Sequence, residues 1–296
     1  LTAPPQLPRA TQYTGPATCL DARMPTRGGI TIWAATLLHA VALKRWRVNR
    51  TNDLVFMHIP FNFGHTVEKV AAFPKNMSIE EFSLFLMLTK GRPQWKDLRP
   101  AMRMDGEAWG RFRPELAVMS EVTGCDLSFT PPKYWPEQVA REYFGRKTVV
   151  GLLRDPYERL VAMFRGNRAG YGGHYEKYAQ TCDVNGAVKL MMQKFLQGNN
   201  TFMEGCTFIP QAEYFEGPYG ITLPVDNRRF PESMNEVFRQ HGYHMHIDTE
   251  DLIHVKDCET VWAADLDHET KELVRRVYAR DFDLLCRYFN YCDASE

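Results

Sequence analysis

The sequence predicts an α/β protein with a central parallel β-sheet. Two short apolar runs, at 53–58 and 146–153, are typical of strands buried on both faces. A segment with the helical spacing of apolar residues follows each run, and further helical segments continue toward the carboxyl end. Strands that alternate with helices indicate a parallel sheet, and 296 residues are enough to bury its core.

The charge balance excludes one class of partner. The chain has 36 Lys and Arg against 36 Asp and Glu, which gives a formal net charge of zero. Non-specific nucleic-acid binding needs a surplus of cations against phosphate, so we expect no nucleic-acid partner. With 44% hydrophobic and 24% charged residues, the composition is that of a folded domain and not of a disordered chain.

The zero total conceals a basic amino-terminal segment. Residues 1–50 hold seven basic residues and one acid, a net charge of +6, so the rest of the chain carries −6. Residues 1–29 are rich in proline and poor in apolar residues, which predicts an extended arm. Such charge asymmetry suggests that residues 1–50 bind a protein partner of their own.

Residues 30–50 combine an apolar stripe with a basic end. From Ile30 to Leu43 the apolar residues follow helical spacing, and a basic cluster follows at 44–47. A helix over 28–43 would reach only about 24 Å, less than the ~30 Å hydrocarbon core. Three interpretations stay open: a short or tilted membrane anchor, an amphipathic helix on a partner or membrane surface, and a helix packed on its own domain. If a membrane is crossed, the basic cluster would place the body on the cytosolic, stromal or matrix side.

The first predicted strand leads into a loop and a helix. The strand ends near His58, residues 61–65 form the loop, and residues 66–73 form the helix with Thr66 as its N-cap. A strand, a glycine-containing loop and a helix together present backbone N–H groups to an anion.

The second predicted strand also ends at a helix. Residues 154–159 follow the strand, and Pro156 suits the first turn of a helix that continues over 160–168. Arg154 and Arg159 could grip a phosphate or hold the loop by salt bridges, and the composition gives these two interpretations equal weight.

The remaining elements are predicted from helical spacing and short apolar runs. Asp267 is a suitable N-cap for the last helix. The predicted helices are 78–88, 136–144, 184–196, 232–241 and 267–288, and the predicted strands are 115–120 and 243–247.

The two strand–helix junctions resemble those of the sulfotransferase superfamily, in particular the Golgi-type branch that sulfates carbohydrates, such as the heparan and uronyl 2-O-sulfotransferases. That branch has a strand followed by His-Ile-Pro-Lys-Thr-Gly-Gly-Thr-Ser, and residues 58–66 read His-Ile-Pro-Phe-Asn-Phe-Gly-His-Thr. Its Arg-Asp-Pro-x-x-Arg motif is matched by residues 154–159. Weaker matches are Pro210-Gln211 and the Tyr-x-x-Asp-Phe of residues 278–282. The resemblance covers about 54 to 290 and implies a P-loop-like three-layer sandwich with a central parallel sheet.

The resemblance also implies a donor site for PAPS or its product PAP. The residues it would assign to that site are Gly64, His65, Thr66, Arg154 and Arg159.

The family often uses a His or Glu as base after its second strand, where this chain has Glu121. That carboxylate could accept the proton of an acceptor hydroxyl if the geometry suits. The other interpretation is a solvated loop carboxylate.

Three departures from the family pattern remove groups that a donor site needs. Phe61 replaces the family lysine, Phe63 replaces a glycine, and Ala162 replaces a serine whose hydroxyl binds the 3′-phosphate. A charge-assisted hydrogen bond is worth about 1.5–3 kcal/mol, and a phenylalanine supplies none. A large side chain at position 63 obstructs the close approach of backbone to phosphate. We therefore expect weak or absent PAPS binding.

Two functions follow from these observations. The first is a catalytically degenerate sulfotransferase-like domain that serves as a structural subunit of a larger membrane-associated assembly, in a plastid, a mitochondrion or the Golgi membrane. The alternative is an active PAPS-dependent sulfotransferase that acts on a hydroxyl of a glycan or metabolite, with His65 or another cation in place of the lysine.

The histidines predict no metal site. His241, His244 and His246 crowd one segment, but a metal site needs a third or fourth converging ligand, and none is predictable there.

The seven cysteines include no C-x-x-C pair. Cys182–Cys206 and Cys286–Cys292 are conceivable disulfides in an oxidising compartment. Asn-x-Ser/Thr triplets begin at 49, 76 and 199 and would matter only in a secretory lumen.

Overall fold

The computed structural model describes residues 54–75, 106–113, 116, 118–166, 176–198, 201–253 and 258–292. All of these belong to the unit Thr51–Glu296. The predicted arm at 1–29, the apolar and basic segment at 30–50 and the predicted helix at 78–88 lie outside the described residues.

A parallel sheet of three strands lies within the described part of the chain. The strands are β1 (Leu54–Phe56), β2 (Thr148–Leu153) and β3 (Leu223–Asp226), in the order β1-β2-β3. Both pairings are parallel, so the predicted parallel sheet is confirmed together with its first two strands. Nothing in the sequence analysis predicts β3, because its four residues include a proline, which lacks the backbone donor that strands use.

Helices cover much of the rest of the described chain. The helix α5 matches its predicted range, and α7 begins directly after Asp267, whose carboxylate caps it by accepting a hydrogen bond from the Thr270 N–H. The helices are α1 (Gly64–Ala72), α2 (Glu137–Tyr143), α3 (Pro156–Gly166), α4 (Glu176–Thr181), α5 (Val184–Leu196), α6 (Glu232–Gln240) and α7 (His268–Phe289). This mixture of helices with a parallel sheet is compatible with an α/β fold.

Two predicted strands are wrong in the residues that the structure describes. Near 115–120, Met119 makes only an isolated antiparallel bridge with Asp126. Residues 243–247 have no regular structure, and the side chain of Asn235 on α6 bonds both the N–H and the carbonyl oxygen of Ile247. A side chain therefore satisfies backbone groups that a neighbouring strand would otherwise pair.

Two apolar clusters form the core of the part of the chain that the structure describes. One surrounds β1 and β2 and includes Phe56, Val150 and Phe238. The other is built largely from α3, α5 and α7, which pack on one another, and it includes Leu160 and Met191. Because β1 and β2 are parallel, the segments that follow their carboxyl ends meet at one edge of the sheet, where open α/β sheets bind ligands.

The described residues contain three disulfides, of which Cys125–Cys206 and Cys182–Cys258 connect distant parts of the chain and Cys286–Cys292 closes a short loop. The Cys286–Cys292 pairing is confirmed. The Cys182–Cys206 pairing is wrong, because the fold brings each of these cysteines to a partner about 80 residues away in sequence, at separations of 76 and 81.

No helix that the structure describes is both long enough and apolar enough to span a membrane.

Candidate functional site

The loop between β1 and α1 is occupied by its own aromatic side chains. Phe61 and Phe63 both have left-handed backbones, with φ of 67° and 58°, a conformation that strains residues other than glycine. The Phe63 ring stacks on Phe230 with the ring centroids 4.8 Å apart. Phe63 also stands at the N-cap of α1 and makes no side-chain capping bond. Position 63, where the resemblance implies a glycine, thus has a left-handed backbone and carries a ring packed against the protein.

Arg154 is directed into this loop. Its Nη1 donates to the carbonyl oxygen of Phe61 at 2.8 Å, and its guanidinium lies 5.3 Å from the centre of the Phe63 ring. Its Nε lies 3.6 Å from a carboxylate oxygen of Glu158. Burial lowers the pKa of Arg154, while the Glu158 charge opposes that shift. The guanidinium therefore binds the protein's own loop and carboxylate.

Arg159 is almost completely buried, with 1% of its surface exposed. Its Nε donates to the carbonyl oxygen of Pro60 at 3.1 Å. Its Nη1 and Nη2 donate to the carbonyl oxygens of Ile209 and Thr207 at 2.9 and 2.8 Å. Of the two roles predicted for this arginine, the observed contacts hold the loop, through backbone carbonyls and not through a salt bridge.

Gly64 and Thr66 also face the interior. A Cβ at Gly64 would lie 2.5 Å from the His58 ring, so only glycine fits beside that imidazole. Thr66 is fully buried, and its hydroxyl accepts a hydrogen bond from the Ile253 N–H at 3.2 Å. The predicted N-cap role of Thr66 is wrong, because α1 begins two residues earlier, at Gly64.

The four segments that carry the family resemblance meet at Gln211, which is fully buried. Its Oε1 accepts hydrogen bonds from the Asn62 side chain at 2.6 Å and from the Arg154 backbone at 3.0 Å. Asp281 on α7 accepts from the Gln211 and Ala212 N–H groups at 2.9 and 2.8 Å. Burial raises the pKa of Asp281, and the charge of Arg159 opposes that shift. The sequence analysis assigns no role to Gln211 or Asp281, although both stand in matched motifs.

A second polar cluster lies where β1 ends and α1 begins. Glu68 Oε1 is hydrogen-bonded to His58 Nδ1 at 2.9 Å. Glu68 Oε2 lies 3.5 Å from His65 Nδ1. His58 and Glu68 are buried, and the side chain of His65 is 19% exposed. The sequence signal for this cluster is the three-residue spacing of His65 and Glu68 on one helix, with His58 at the end of the strand before it.

Burial and mutual contact set the charges of this cluster. Burial alone would raise the pKa of Glu68, but the charge of His58 and hydrogen bonds from both histidines lower it to about 2. Burial lowers the pKa of His65 to about 4, against the hydrogen bond with Glu68. At neutral pH Glu68 is therefore an anion and His65 is a neutral imidazole.

The remaining predicted site residues lie apart from these contacts. Glu121 is exposed in the turn where the Ser120 N–H bonds the Cys125 carbonyl oxygen, and no hydrogen bond or ion pair among the described residues joins its carboxylate to the β1–α1 loop. His246 is exposed beside Asp248, 3.3 Å away. Within the described ranges, the histidines at 241, 244 and 246 do not form a metal-binding cluster.

No known family model, curated protein or solved structure matches this chain. Its function is therefore inferred from the residues and their geometry.

Proposed function

We propose that this chain is a sulfotransferase-like domain whose donor site has become part of its own interior, and that it serves as a structural subunit of a membrane-associated assembly. The observation that carries the proposal is the set of contacts made by Arg159. Its guanidinium donates to three backbone carbonyls at 2.8–3.1 Å and is 1% exposed.

The proposed fold is a P-loop-like three-layer sandwich built on the parallel sheet. Its support is the meeting of four matched segments at one edge of that sheet. Asn62, Arg154, Gln211 and Asp281 come from these four segments and form one hydrogen-bonded network. Motifs of one family that are far apart in sequence are expected to lie together in the fold, as these four do.

Energetics argue against donor binding. A phosphate that recruited Arg159 would have to replace three hydrogen bonds from a charged donor, each worth about 1.5–3 kcal/mol. It would also leave the buried carbonyls of Pro60, Thr207 and Ile209 without that donor. Phe61 supplies no cation to offset this cost. Donor binding is therefore unfavourable in the observed arrangement.

The alternative, an active sulfotransferase with His65 in place of the lysine, has less support. A substitute for the lysine must carry positive charge when sulfuryl is transferred. Because burial lowers the pKa of His65 to about 4, that imidazole is neutral near pH 7. It can donate a hydrogen bond but supplies no net charge.

The disulfides bear on the proposed location. Three disulfides in the described residues are typical of a protein that matures in an oxidising compartment. We therefore propose that the domain lies on the lumenal side of a secretory membrane such as the Golgi, in preference to the stromal or matrix side. This location requires Ile30–Leu43 to lie on the membrane surface, because a crossing helix followed by the basic cluster at 44–47 would put the body on the cytosolic side. Residues 1–50 supply the protein-binding arm, and Ile30–Leu43 the membrane contact.

Calorimetric titration of the full chain with PAP tests the loss of the donor site. We expect no binding up to millimolar PAP, for the wild type and also for Phe61→Lys, because a restored lysine leaves Arg159 bound to its carbonyls. Micromolar PAP binding by the wild type would contradict the proposal.

Native electrophoresis of detergent-solubilised membranes tests the assembly. We expect the wild-type chain to migrate in a large complex. Replacing the basic residues at 44, 45 and 47 with glutamate is expected to release it. Migration of the wild type as a monomer would contradict the structural role.

A further inference from the structure

We infer that His58, His65 and Glu68 form a binding site for a divalent transition-metal cation, with Zn²⁺ as the first choice. Two imidazole nitrogens and one carboxylate oxygen are a donor set that zinc uses in proteins. The inference concerns a cation and is independent of whether the chain binds a nucleotide.

The geometry already gathers the three donors. One ligand atom from each residue can be chosen so that all lie within 4.8 Å of one another. Ligand atoms bound tetrahedrally to zinc at about 2.0–2.2 Å stand about 3.4 Å apart. Glu68 Oε1 lies 2.9 Å from His58 Nδ1, and Glu68 Oε2 lies 3.5 Å from His65 Nδ1. A bound zinc would require the donor atoms to adjust from these separations toward that value.

The surroundings hold the two rings in place. Gly64 lies against the His58 ring so closely that a Cβ there would be 2.5 Å away. The Phe129 ring meets His58 edge-on at 4.8 Å and His65 at 6.0 Å between centroids. Packing of this kind orients ligands before a metal arrives, which reduces the entropy lost on binding.

Charge favours a cation at this place. Glu68 is fully buried, and a buried carboxylate is costly unless a positive group compensates it. Within the described residues its ion-pair partners are the two histidines, with no lysine or arginine side chain among them. A divalent cation at this place would supply a positive charge directly to the carboxylate.

Arg111 is the nearby group that works against a metal. Its guanidinium carries a positive charge, which repels a cation. However, its guanidinium is 5.5 Å from the centre of the Phe129 ring, and its contact with Glu68 Oε1 is through the backbone N–H at 3.4 Å. The carboxylate oxygens therefore remain directed at the imidazoles.

Three protein ligands leave one position of a four-coordinate zinc for water or a small anion. His65 is the one member of the set with solvent access, at 19% side-chain exposure. A zinc ion would enter and exchange its water on that side.

The test is titration of the full chain, stripped with EDTA, with zinc alone, by calorimetry, and with Co²⁺, by visible absorption. We expect one ion per chain at micromolar affinity or tighter and a cobalt spectrum typical of tetrahedral nitrogen and oxygen ligands. His65→Gln and Glu68→Gln are each expected to weaken binding by at least about tenfold. The matched control, His246→Gln, removes an exposed histidine beside an aspartate and is expected to bind like the wild type.

Absence of zinc binding by the folded wild type at zinc concentrations up to about 1 mM would overturn the inference. So would binding that His246→Gln abolishes and His65→Gln leaves intact. If Glu68→Gln does not fold, His65→Gln still decides the question, because the His65 side chain is the most exposed of the three ligands. Neither metal titration contains a nucleotide, so a failure to bind zinc leaves the proposed loss of the donor site untouched. In the same way, PAP binding by the wild type would leave the proposed metal site untouched.

Discussion

At the scale of single residues, the β1–α1 loop is held by contacts with side chains of the same domain. Arg154 and Arg159 stand where the resemblance implies phosphate ligands, yet both donate to carbonyl oxygens of the loop itself. Phe61 and Phe63 replace the lysine and the glycine, and the Phe63 ring packs on Phe230. Under the proposed function, the side chains that would receive a donor are those that hold the loop.

Gly64 gives a prediction at this scale. We expect Gly64→Ala to destabilise the protein by about 1–3 kcal/mol, because the new methyl would meet the His58 ring at 2.5 Å. Chemical denaturation measures the change. In a His58→Ala background the same substitution should cost much less, since the ring it meets is gone. An equal cost in both backgrounds would show that the clash is not the cause.

The site residues differ in how far the sequence predicts them. The sequence places Arg154 and Arg159 near one another because each follows the same predicted strand. It cannot show that their donors reach the carbonyls of Pro60, Thr207 and Ile209, because those contacts depend on how distant segments pack. The same limit hides the cluster of His58, His65 and Glu68, which forms only once α1 begins at Gly64.

At the scale of elements, prediction succeeds where a local signal is strong. Both α5 and α7 follow clear helical spacing, and the capping carboxylate of Asp267 fixes where α7 begins. Prediction fails where tertiary contacts determine the backbone conformation, as in residues 243–247. There the side chain of Asn235 bonds the backbone of Ile247 in place of a neighbouring strand. Strand β3 is missed because Pro224 weakens the strand pattern at the edge of the described sheet.

The N-terminus of α7 gives a pH prediction. Hydrogen bonds from Lys189 and Thr270 lower the pKa of Asp267 to about 2 from an ordinary 3.8. Because the folded-state pKa is depressed, the stabilisation is present above the ordinary value and is lost as the pH falls from about 4 to about 2. Asp267→Asn keeps a capping oxygen but no charge, so its melting temperature should be lower than that of the wild type at pH 6, with the difference shrinking toward pH 2.

The effect will be small, because this ion pair is exposed to solvent and screened by salt. Asp267→Ala, which removes the cap as well, should be less stable than Asp267→Asn at every pH. A constant difference between wild type and Asp267→Asn from pH 6 to pH 2 would contradict the assignment of the shift to this carboxylate.

At the scale of the whole molecule, the disulfides connect segments that the sequence leaves apart. Cys125–Cys206 and Cys182–Cys258 close loops with separations of 81 and 76, whereas Cys286–Cys292 closes a separation of 6. Loop-closure entropy predicts about 4 kcal/mol for each long loop and about 2 kcal/mol for the short one. Sequence spacing indicates the short pairing but not the long ones, which the tertiary fold determines.

Replacement of each cysteine pair by serine tests this ordering. We expect Cys182→Ser/Cys258→Ser to lose more unfolding free energy in denaturant than Cys286→Ser/Cys292→Ser, because its loop is longer. Thiol labelling of the untreated protein should first show these six cysteines to be protected. Labelling of all six in protein isolated without reductant would contradict both the pairing and the proposed oxidising compartment.

The central claim is that Arg159 is a structural part of the core and not a phosphate ligand. The most direct test is the free energy of unfolding of Arg159→Met in denaturant, with Arg159→Lys as a milder replacement. Loss of the guanidinium leaves three buried carbonyls without a donor, at about 1–3 kcal/mol each, so we predict a loss of at least about 3 kcal/mol. The control, Arg229→Met, removes an exposed arginine paired with Glu236 and should change stability by no more than about 0.5 kcal/mol. A ligand-binding arginine is not needed for folding, so an Arg159→Met protein as stable as the Arg229→Met control would contradict the account.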